Sequence, residues 1–293
     1  MKNAILGVNH QFLYPRSITD AVSHTETLKR AAVLDSIDAL DCWVWRGERS
    51  REEIAVLKDC GKIINYNIGD RAGELPTFPC SPDKAERVRA YDTIMRECEY
   101  ALELGSKKIV FASGPDLPED RNGAKERLGE LIVAVSNQLP RDVVLALEPT
   151  DRDIDKYFLL GPLDETVEFI KKWRKEVPTL GLLLDMCHVP LMHETLESAI
   201  QKVDDTLVHI HLGNCKLDDP THPFYGDKHI PWGYEGALYG ENEGVAFLEM
   251  LKKIGYFDKK GATASFEMRP YDGMSSEESL NHFVEVWNSV KNA

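Results

Sequence analysis

The feature that most constrains the fold is an alternation, repeated eight times, of a short apolar run and a longer amphipathic segment. Each apolar run holds five to seven residues and is rich in β-branched or other apolar side chains. Such runs are typical of strands buried on both faces of a parallel sheet. The predicted strands lie at residues 4–8, 40–45, 62–68, 107–113, 142–148, 180–186, 206–212 and 262–268.

The amphipathic segments between these runs predict helices. They lie near residues 24–36, 50–60, 81–105, 124–138, 162–176, 193–202, 243–254 and 276–290. The segment 81–105 should begin with Ser81 as N-cap and Pro82 at the first helical position, and should end at Gly105. Eight such units predict a single (β/α)₈ TIM-barrel domain over residues 1–293. A doubly wound sheet is the alternative, but "NHQFLYP" after the first strand lacks its Gly-rich turn.

Composition narrows the class of partner. The formal net charge of −14, without a basic cluster, argues against binding a nucleic acid. The first apolar run is too short for a signal peptide or a membrane span, so no membrane partner is expected. Six scattered cysteines without a CxxC pair predict reduced thiols in a cytoplasmic protein. A small neutral or metal-chelating ligand suits this chain better than a polyanion.

Polar residues end the last four predicted strands, where the active site of a TIM barrel lies. They are Glu148, Asp185, His211 and Glu267. Any one of them could cap a loop or form an ion pair, but four in succession are harder to dismiss. Three carboxylates at one mouth repel each other and raise their own pKa values, and a divalent cation removes that repulsion. The alternative is an ion-pair network that includes Lys216 or Arg269.

The chemistry of these four side chains indicates which metal they would suit. Three oxygen ligands and one imidazole nitrogen, with room for substrate oxygens, are typical of Mn²⁺, Co²⁺ or Mg²⁺ sites. Mn²⁺ is favoured, and Zn²⁺ is also compatible with this ligand set. The sequence therefore predicts a divalent metal as cofactor.

The strand-end motifs "LEP", "DxxH", "HxHLxN" and "FE" resemble those of the xylose isomerase-like TIM barrels, in the sugar phosphate isomerase and epimerase branch. The resemblance implies that Glu148, Asp185, His211 and Glu267 bind one divalent metal, and that His188 touches substrate oxygens. It also implies that Glu148 and Glu267 exchange a proton with the carbon beside a carbonyl, from opposite faces. The expected function is a metal-dependent isomerase or epimerase of a ketose or keto-sugar, acting through a metal-bound enediolate.

Three other functions remain open from the sequence. A lyase or dehydratase acting on an oxo-sugar or 3-oxo-glycoside could use the same proton abstraction. An endonuclease IV-like nuclease would need further histidines after the second and third strands, and those stretches contain none. A non-catalytic sugar-binding protein would have no need for an intact Glu/Asp/His/Glu set.

The segment "GDKHIPWGYEG" at 226–236 lies in a long loop after the seventh strand, on the catalytic face. Loops of this kind often act as lids. We expect Asp227 and His229 to contact substrate, although with His188 they could instead hold a second metal. Trp232 and Tyr234 would exclude water or stack on a sugar ring.

Four further residues are candidate substrate contacts. Arg269 and Lys216 lie beyond strands eight and seven, and Trp45 and His10 lie beyond strands two and one. A structural role is about as plausible for His10. The expected partner is a small sugar substrate, and barrels of this type often form dimers or tetramers through their outer helices.

Overall fold

Eight parallel strands close into a barrel in the computed structural model, which describes residues 1, 3–68 and 78–292. Each strand pairs with the next along the chain, and the eighth pairs with the first. The strands are β1 Ile5–Asn9, β2 Ala39–Cys42, β3 Ile63–Asn67, β4 Lys108–Ala112, β5 Val144–Glu148, β6 Leu180–Asp185, β7 Leu207–Leu212 and β8 Thr263–Phe266. The predicted TIM barrel is confirmed.

Helices follow the strands and cover the outside of the barrel. The longer ones are α2 Ala21–Ala32, α3 Ser50–Asp59, α4 Lys84–Glu103, α5 Arg121–Ser136, α6 Leu163–Trp173, α8 Leu196–Val203, α9 Glu241–Lys253 and α10 Ser276–Lys291. Their apolar faces pack on the barrel wall and form the main hydrophobic core. No helix within the described ranges is both long and apolar enough to cross a membrane.

Two short helices were not predicted, and both hold polar residues at strand ends. They are α1 His10–Leu13, directly after β1, and α7 His188–Leu191, just after β6. Each is four residues long, which is too short for a periodic pattern to be visible in the sequence.

The predicted start of α4 was wrong. Asp83 is the N-cap, because its backbone is extended and its side chain accepts a hydrogen bond from Ala85 N at 2.8 Å. Ser81 Oγ instead accepts from Asp83 N at 3.0 Å, which fixes the turn before the helix. The predicted stop is confirmed, because the helix ends at Glu103 and Gly105 adopts a φ of 73° that a glycine tolerates.

The barrel interior is divided into an apolar and a polar half. Val110, Ala146 and Leu183 form a small apolar cluster on β4 to β6, separate from the main core. The polar half is buried as well and comprises Asp41, Asn65, His209, His211, Thr263 and Ser265. The register between β6 and β7 shifts so that Leu182 pairs with Leu207 and Leu183 pairs with His209. Such a bulge re-aims the side chains that follow it.

Close packing between two outer helices yields a testable prediction. A Cβ added to Gly129 on α5 would lie 1.8 Å from the Trp173 ring on α6. Gly129→Ala should therefore lower the free energy of unfolding by about 1–3 kcal/mol through overpacking, although alanine favours helices. Urea denaturation measures the change. Glu130→Ala, on the exposed side of the same helix, is the control and should stay within about 0.5 kcal/mol. A Gly129→Ala protein as stable as the parent would contradict the packing.

Candidate active site

Four side chains from consecutive strands converge at the carboxyl end of the barrel. Glu148 ends β5, Asp185 ends β6, His211 lies near the end of β7, and Glu267 follows β8. Their nearest ligand atoms all lie within 4.8 Å of one another, and all four residues are buried. We call these residues the strand-end group. Adjacent parallel strands bring their last inward-facing positions together, so the convergence follows from the closed barrel.

The imidazole of His211 lies at the centre of the strand-end group. Its Nδ1 lies 3.5 Å from Glu148 Oε1 and 3.7 Å from Asp185 Oδ2, and it contacts Glu267 Oε2. Neither His211 Nδ1 nor Asp185 Oδ2 has a hydrogen bond of acceptable geometry to any described residue, although both atoms are buried. Buried polar atoms that face one another without a hydrogen bond fit a site built for a ligand between them.

The electrostatics of the strand-end group favour a cation. Burial alone would lower the pKa of His211, but the negative charge of Glu267 and the nearby carboxylates of Asp41 and Glu148 raise it well above 6.5. The field that holds a proton there would also hold a metal ion. The three carboxylates and the imidazole present therefore fit a divalent metal, in the ligand types that Mn²⁺, Co²⁺ or Mg²⁺ accept.

A second set of buried side chains lies beside the first, which we call the loop group. It comprises Cys187, His188, Asp227 and His229, with ligand atoms that also lie within 4.8 Å of one another. Asp227 Oδ1 lies 3.3 Å from His188 Nε2, 2.7 Å from His229 Nε2 and 3.4 Å from Cys187 Sγ.

Both histidines of the loop group have the same orientation. The Nδ1 of His188 donates to Pro149 O at 3.1 Å, and the Nδ1 of His229 donates to Glu267 O at 2.9 Å. Each Nε2 therefore points to the shared space around Asp227. Burial opposes a charge on His188, but Asp227, Asp185 and Glu148 raise its pKa to about 10. His188 is a hydrogen-bond donor at neutral pH in this environment.

The two groups belong to one pocket. His188 Nδ1 lies 3.6 Å from Glu148 Oε1, and His229 Nδ1 lies 4.0 Å from Asp185 Oδ2. Seven of the predicted site residues are thus brought together by β5 to β8 and the loop after β7. The arrangement can hold a cation on the strand-end side and polar substrate atoms on the loop side.

Ion pairs hold the predicted lid loop over this pocket. Asp155, in the loop after β5, accepts hydrogen bonds from Asp227 N at 2.8 Å and from Lys228 Nζ at 2.6 Å. Lys156 Nζ lies 3.0 Å from Asp227 Oδ2. These contacts join the loops after β5 and β7 into one wall.

His229 has a strained backbone, with a φ of 51°. Non-glycine residues seldom adopt this conformation, and those that do are concentrated at functional sites. Its ring packs against Phe12 at 4.1 Å between centroids, and its backbone O accepts from Arg269 N at 2.7 Å. The guanidinium of Arg269 donates to Lys228 O at 2.9 Å and lies over Phe224. Arg269 therefore supports the loop directly.

Two candidate residues near the first strands, His10 and Trp45, contact residues of α2 and α3. His10 is buried, its Nε2 lies 2.9 Å from Thr27 Oγ1, and burial together with His24 lowers its pKa well below 6.5. The backbone N of Trp45 donates to Glu53 Oε2 at 2.6 Å, and its ring lies 5.5 Å from that of His24. His10 is thus held as a neutral imidazole against α2.

Two residues of the long loop after β7 have internal roles. Lys216 Nζ lies 2.8 Å from Asp218 Oδ1 and donates to Glu235 O at 3.1 Å, so its charge closes the loop on itself. Trp232 is 1% exposed and packs edge-on against Phe266. Its ring belongs to the main hydrophobic core.

Sequence reasoning missed two residues that contact the strand-end group from behind. Asn9 Nδ2 donates to Glu267 Oε1 at 2.7 Å. Asp41 Oδ1 lies 3.3 Å from His211 Nε2 and 2.6 Å from His209 Nε2. Burial would raise the pKa of Asp41, but these two histidines hold it well below its usual range. The available signal was a carboxylate inside an apolar run, which cannot be solvated there.

Comparisons with known proteins connect this chain to a family. The family model for the xylose isomerase-like TIM barrel matches residues 62–288. A D-psicose 3-epimerase of Enterocloster bolteae is 26% identical over 240 residues, which cover 76% of this chain and 72% of that protein. A D-psicose 3-epimerase of Ruminiclostridium cellulolyticum is 24% identical over 249 residues, covering 82% and 75%.

A solved structure of L-ribulose 3-epimerase aligns with a TM-score of 0.69 at 16% identity, covering 99% of this chain and 96% of that one. At this identity the likeness concerns the fold. The two D-psicose 3-epimerase relatives support an enzyme of the isomerase and epimerase class. Because the family model covers most of its length and its barrel is closed, the chain belongs to the xylose isomerase-like TIM barrel family.

Proposed function

We propose that the protein is a divalent-metal-dependent sugar epimerase that inverts the carbon beside the carbonyl of a ketose. The observation that carries the proposal is the convergence of Glu148, Asp185, His211 and Glu267 on one buried point. When bound there, a divalent metal would act as a Lewis acid towards the carbonyl and a neighbouring hydroxyl of the sugar. Two relatives that are D-psicose 3-epimerases support a ketose as substrate.

The two glutamates would carry the proton. One carboxylate removes the proton from the carbon beside the carbonyl, and the electron pair of that C–H bond moves into the enediolate. The other glutamate, protonated beforehand, returns a proton to the opposite face of the same carbon, so the sugar is inverted and no atom is lost. Asn9, which donates to Glu267 Oε1, would hold that carboxylate at one fixed angle to the substrate.

The loop group would bind the rest of the sugar. His188 and His229 point their Nε2 atoms into the pocket, and Asp227 accepts between them. Two donors and one acceptor suit the alternating hydroxyls of an open-chain sugar. The loop that carries Asp227 and His229 would also exclude water from the enediolate.

Metal content is the first test. The purified protein should bind one equivalent of Mn²⁺ or Co²⁺ per chain, because the strand-end group supplies four ligands. Asp185→Asn should lose most of this binding, and Asp116→Asn, an ion pair with Arg121, should retain it. Titration calorimetry and elemental analysis measure both. A parent protein that binds no divalent metal would refute the proposed mechanism.

The proton-transfer step predicts a labelling pattern. Incubation of the metal-loaded enzyme with unphosphorylated ketoses in D₂O should place one deuterium on the inverted carbon, as observed by NMR. Glu148→Gln and Glu267→Gln should each lower kcat by about 10²–10⁴-fold, whereas Glu165→Gln, ion-paired with Arg152, should not. Release of water or an aglycone in place of the epimer would identify a lyase instead.

Substrate binding by the loop group can be separated from metal binding. His229→Gln should raise KM by up to about tenfold, the loss of one hydrogen bond to the substrate, with metal content unchanged. His193→Gln is a matched control, because His193 also has a positive φ, of 61°, but is exposed and pairs with Asp153. If the parent binds two metal ions and His229→Gln binds one, the loop group is a metal site and the substrate role is wrong.

A further inference from the structure

A continuous row of buried polar side chains runs along the barrel interior and ends at the strand-end group. We call it the axial chain. It comprises Lys108 at the start of β4, Thr263 at the start of β8, Asp41 on β2, and His209 and His211 on β7, all of them buried. Four of these five residues take no part in the mechanism above, yet each has a buried polar group that costs free energy unless it is paired.

The axial chain begins at the ammonium of Lys108, which can only donate. The Nζ of Lys108 donates to Thr263 Oγ1 and also lies 3.4 Å from His209 Nδ1. Since the oxygen of Thr263 accepts from the amine, its own proton is free to point towards His209 Nδ1, at 2.6 Å. A proton on that Nδ1 would face the ammonium of Lys108 directly, so like-charge repulsion keeps it off.

The other ring nitrogen of His209 must then carry the proton. His209 Nε2 lies 2.6 Å from Asp41 Oδ1, and an ionised carboxylate only accepts. The alternative tautomer would donate from Nδ1 to Thr263 O, at the longer distance of 3.2 Å. It would also place two lone pairs against each other at the 2.6 Å contact with Asp41. The geometry thus selects one tautomer.

Asp41 also accepts a hydrogen bond from His211, with the same ring nitrogen as donor as in His209. Its carboxylate is fixed by hydrogen bonds from Asn65 Nδ2, at 3.1 Å, and from the hydroxyl of Ser265. Its Oδ1 accepts from His211 Nε2 at 3.3 Å. A proton on Nε2 leaves the Nδ1 of His211 as the nitrogen that faces the three carboxylates of the strand-end group.

We infer that the axial chain is a positioning device, in which Lys108 and Thr263 act through His209 and Asp41 to hold His211 in the tautomer that presents Nδ1 to a metal. This inference rests on the proposed metal site. It assigns a role in metal affinity to Thr263, which lies two residues along β8 before Ser265 and contacts none of the four ligands in the hydrogen bonds and ion pairs described above. Partners behind a metal-ligating histidine typically change metal affinity by about 10–100-fold.

The tautomer of His209 is the first measurement. In metal-free protein labelled with ¹⁵N-histidine, the NMR signals of His209, identified by their loss in His209→Gln, should show a protonated Nε2 and an unprotonated Nδ1. A protonated Nδ1 would overturn the inference. This readout does not depend on any metal, so it separates the axial chain from the proposed function.

Metal affinity of Thr263 variants is the second measurement. Thr263→Val removes the hydroxyl at nearly constant volume and should weaken Co²⁺ binding by about tenfold in calorimetry, whereas Thr263→Ser should restore it. Thr206→Val is the control, because Thr206 is a buried threonine whose hydroxyl donates to Val203 O. It should bind Co²⁺ within about twofold of the parent.

Co²⁺ affinity separates failure of this inference from failure of the proposed function. If the parent binds Co²⁺ and Thr263→Val binds it equally well, the inference is wrong and the proposed metal site stands. If the parent binds no divalent metal, the proposed function fails instead. Should Thr263→Val fold poorly, Lys108→Met tests the axial chain at its first residue, and unchanged Co²⁺ affinity there would likewise overturn the inference.

Discussion

Burial of negative charge is the constraint on which this structure depends. Asp41, Glu148, Asp185, Asp227 and Glu267 all lie in the interior, in a chain whose acidic residues outnumber Lys and Arg by 49 to 35. A carboxylate removed from water needs a cation or several hydrogen-bond donors at close range. Imidazoles supply most of that compensation, and Lys156 adds a charge beside Asp227.

The closed barrel makes this concentration of charge possible. Its interior is apolar on β4 to β6, where Val110, Ala146 and Leu183 pack together, and polar towards β7, β8 and β2. The polar half supports the functional end from below, since Asp41 and His209 lie directly behind His211. The register shift between β6 and β7 lies directly before both histidines of β7. Stability and site geometry therefore depend on the same residues.

Much of the fold could be predicted because the barrel repeats one physical pattern eight times. Strands buried on both faces must be apolar throughout, and helices that cover them must have one apolar face. Local details were harder to predict. Ser81 and Asp83 are both good N-caps, and only the path of the chain into α4 decided for Asp83. The helices α1 and α7 are too short to leave a periodic signal in the sequence.

In the candidate site, too, some residues could be predicted from the sequence pattern and others could not. Glu148, Asp185, His211 and Glu267 could be named from their positions, because strand ends of a parallel barrel must meet at one mouth. Lys216 was a candidate substrate contact from the sequence, and in the structure its ammonium pairs with Asp218 within its own loop. His10 follows a strand end too, but its ring turns to Thr27 and His24 on α2. Side-chain direction beyond a strand end depends on loop geometry, which composition does not encode.

The sequence by itself determined the barrel, the order of its strands and the residue types at its mouth, because hydrophobic period and strand direction are local properties. Only the tertiary structure showed that Asp41 on β2 and Lys108 on β4 meet His209 on β7, since these contacts cross the barrel between residues 101 to 168 positions apart. A charged residue within an apolar run indicates that its side chain will be buried and will need a partner. Which partner it finds depends on how the closed sheet brings distant strands face to face.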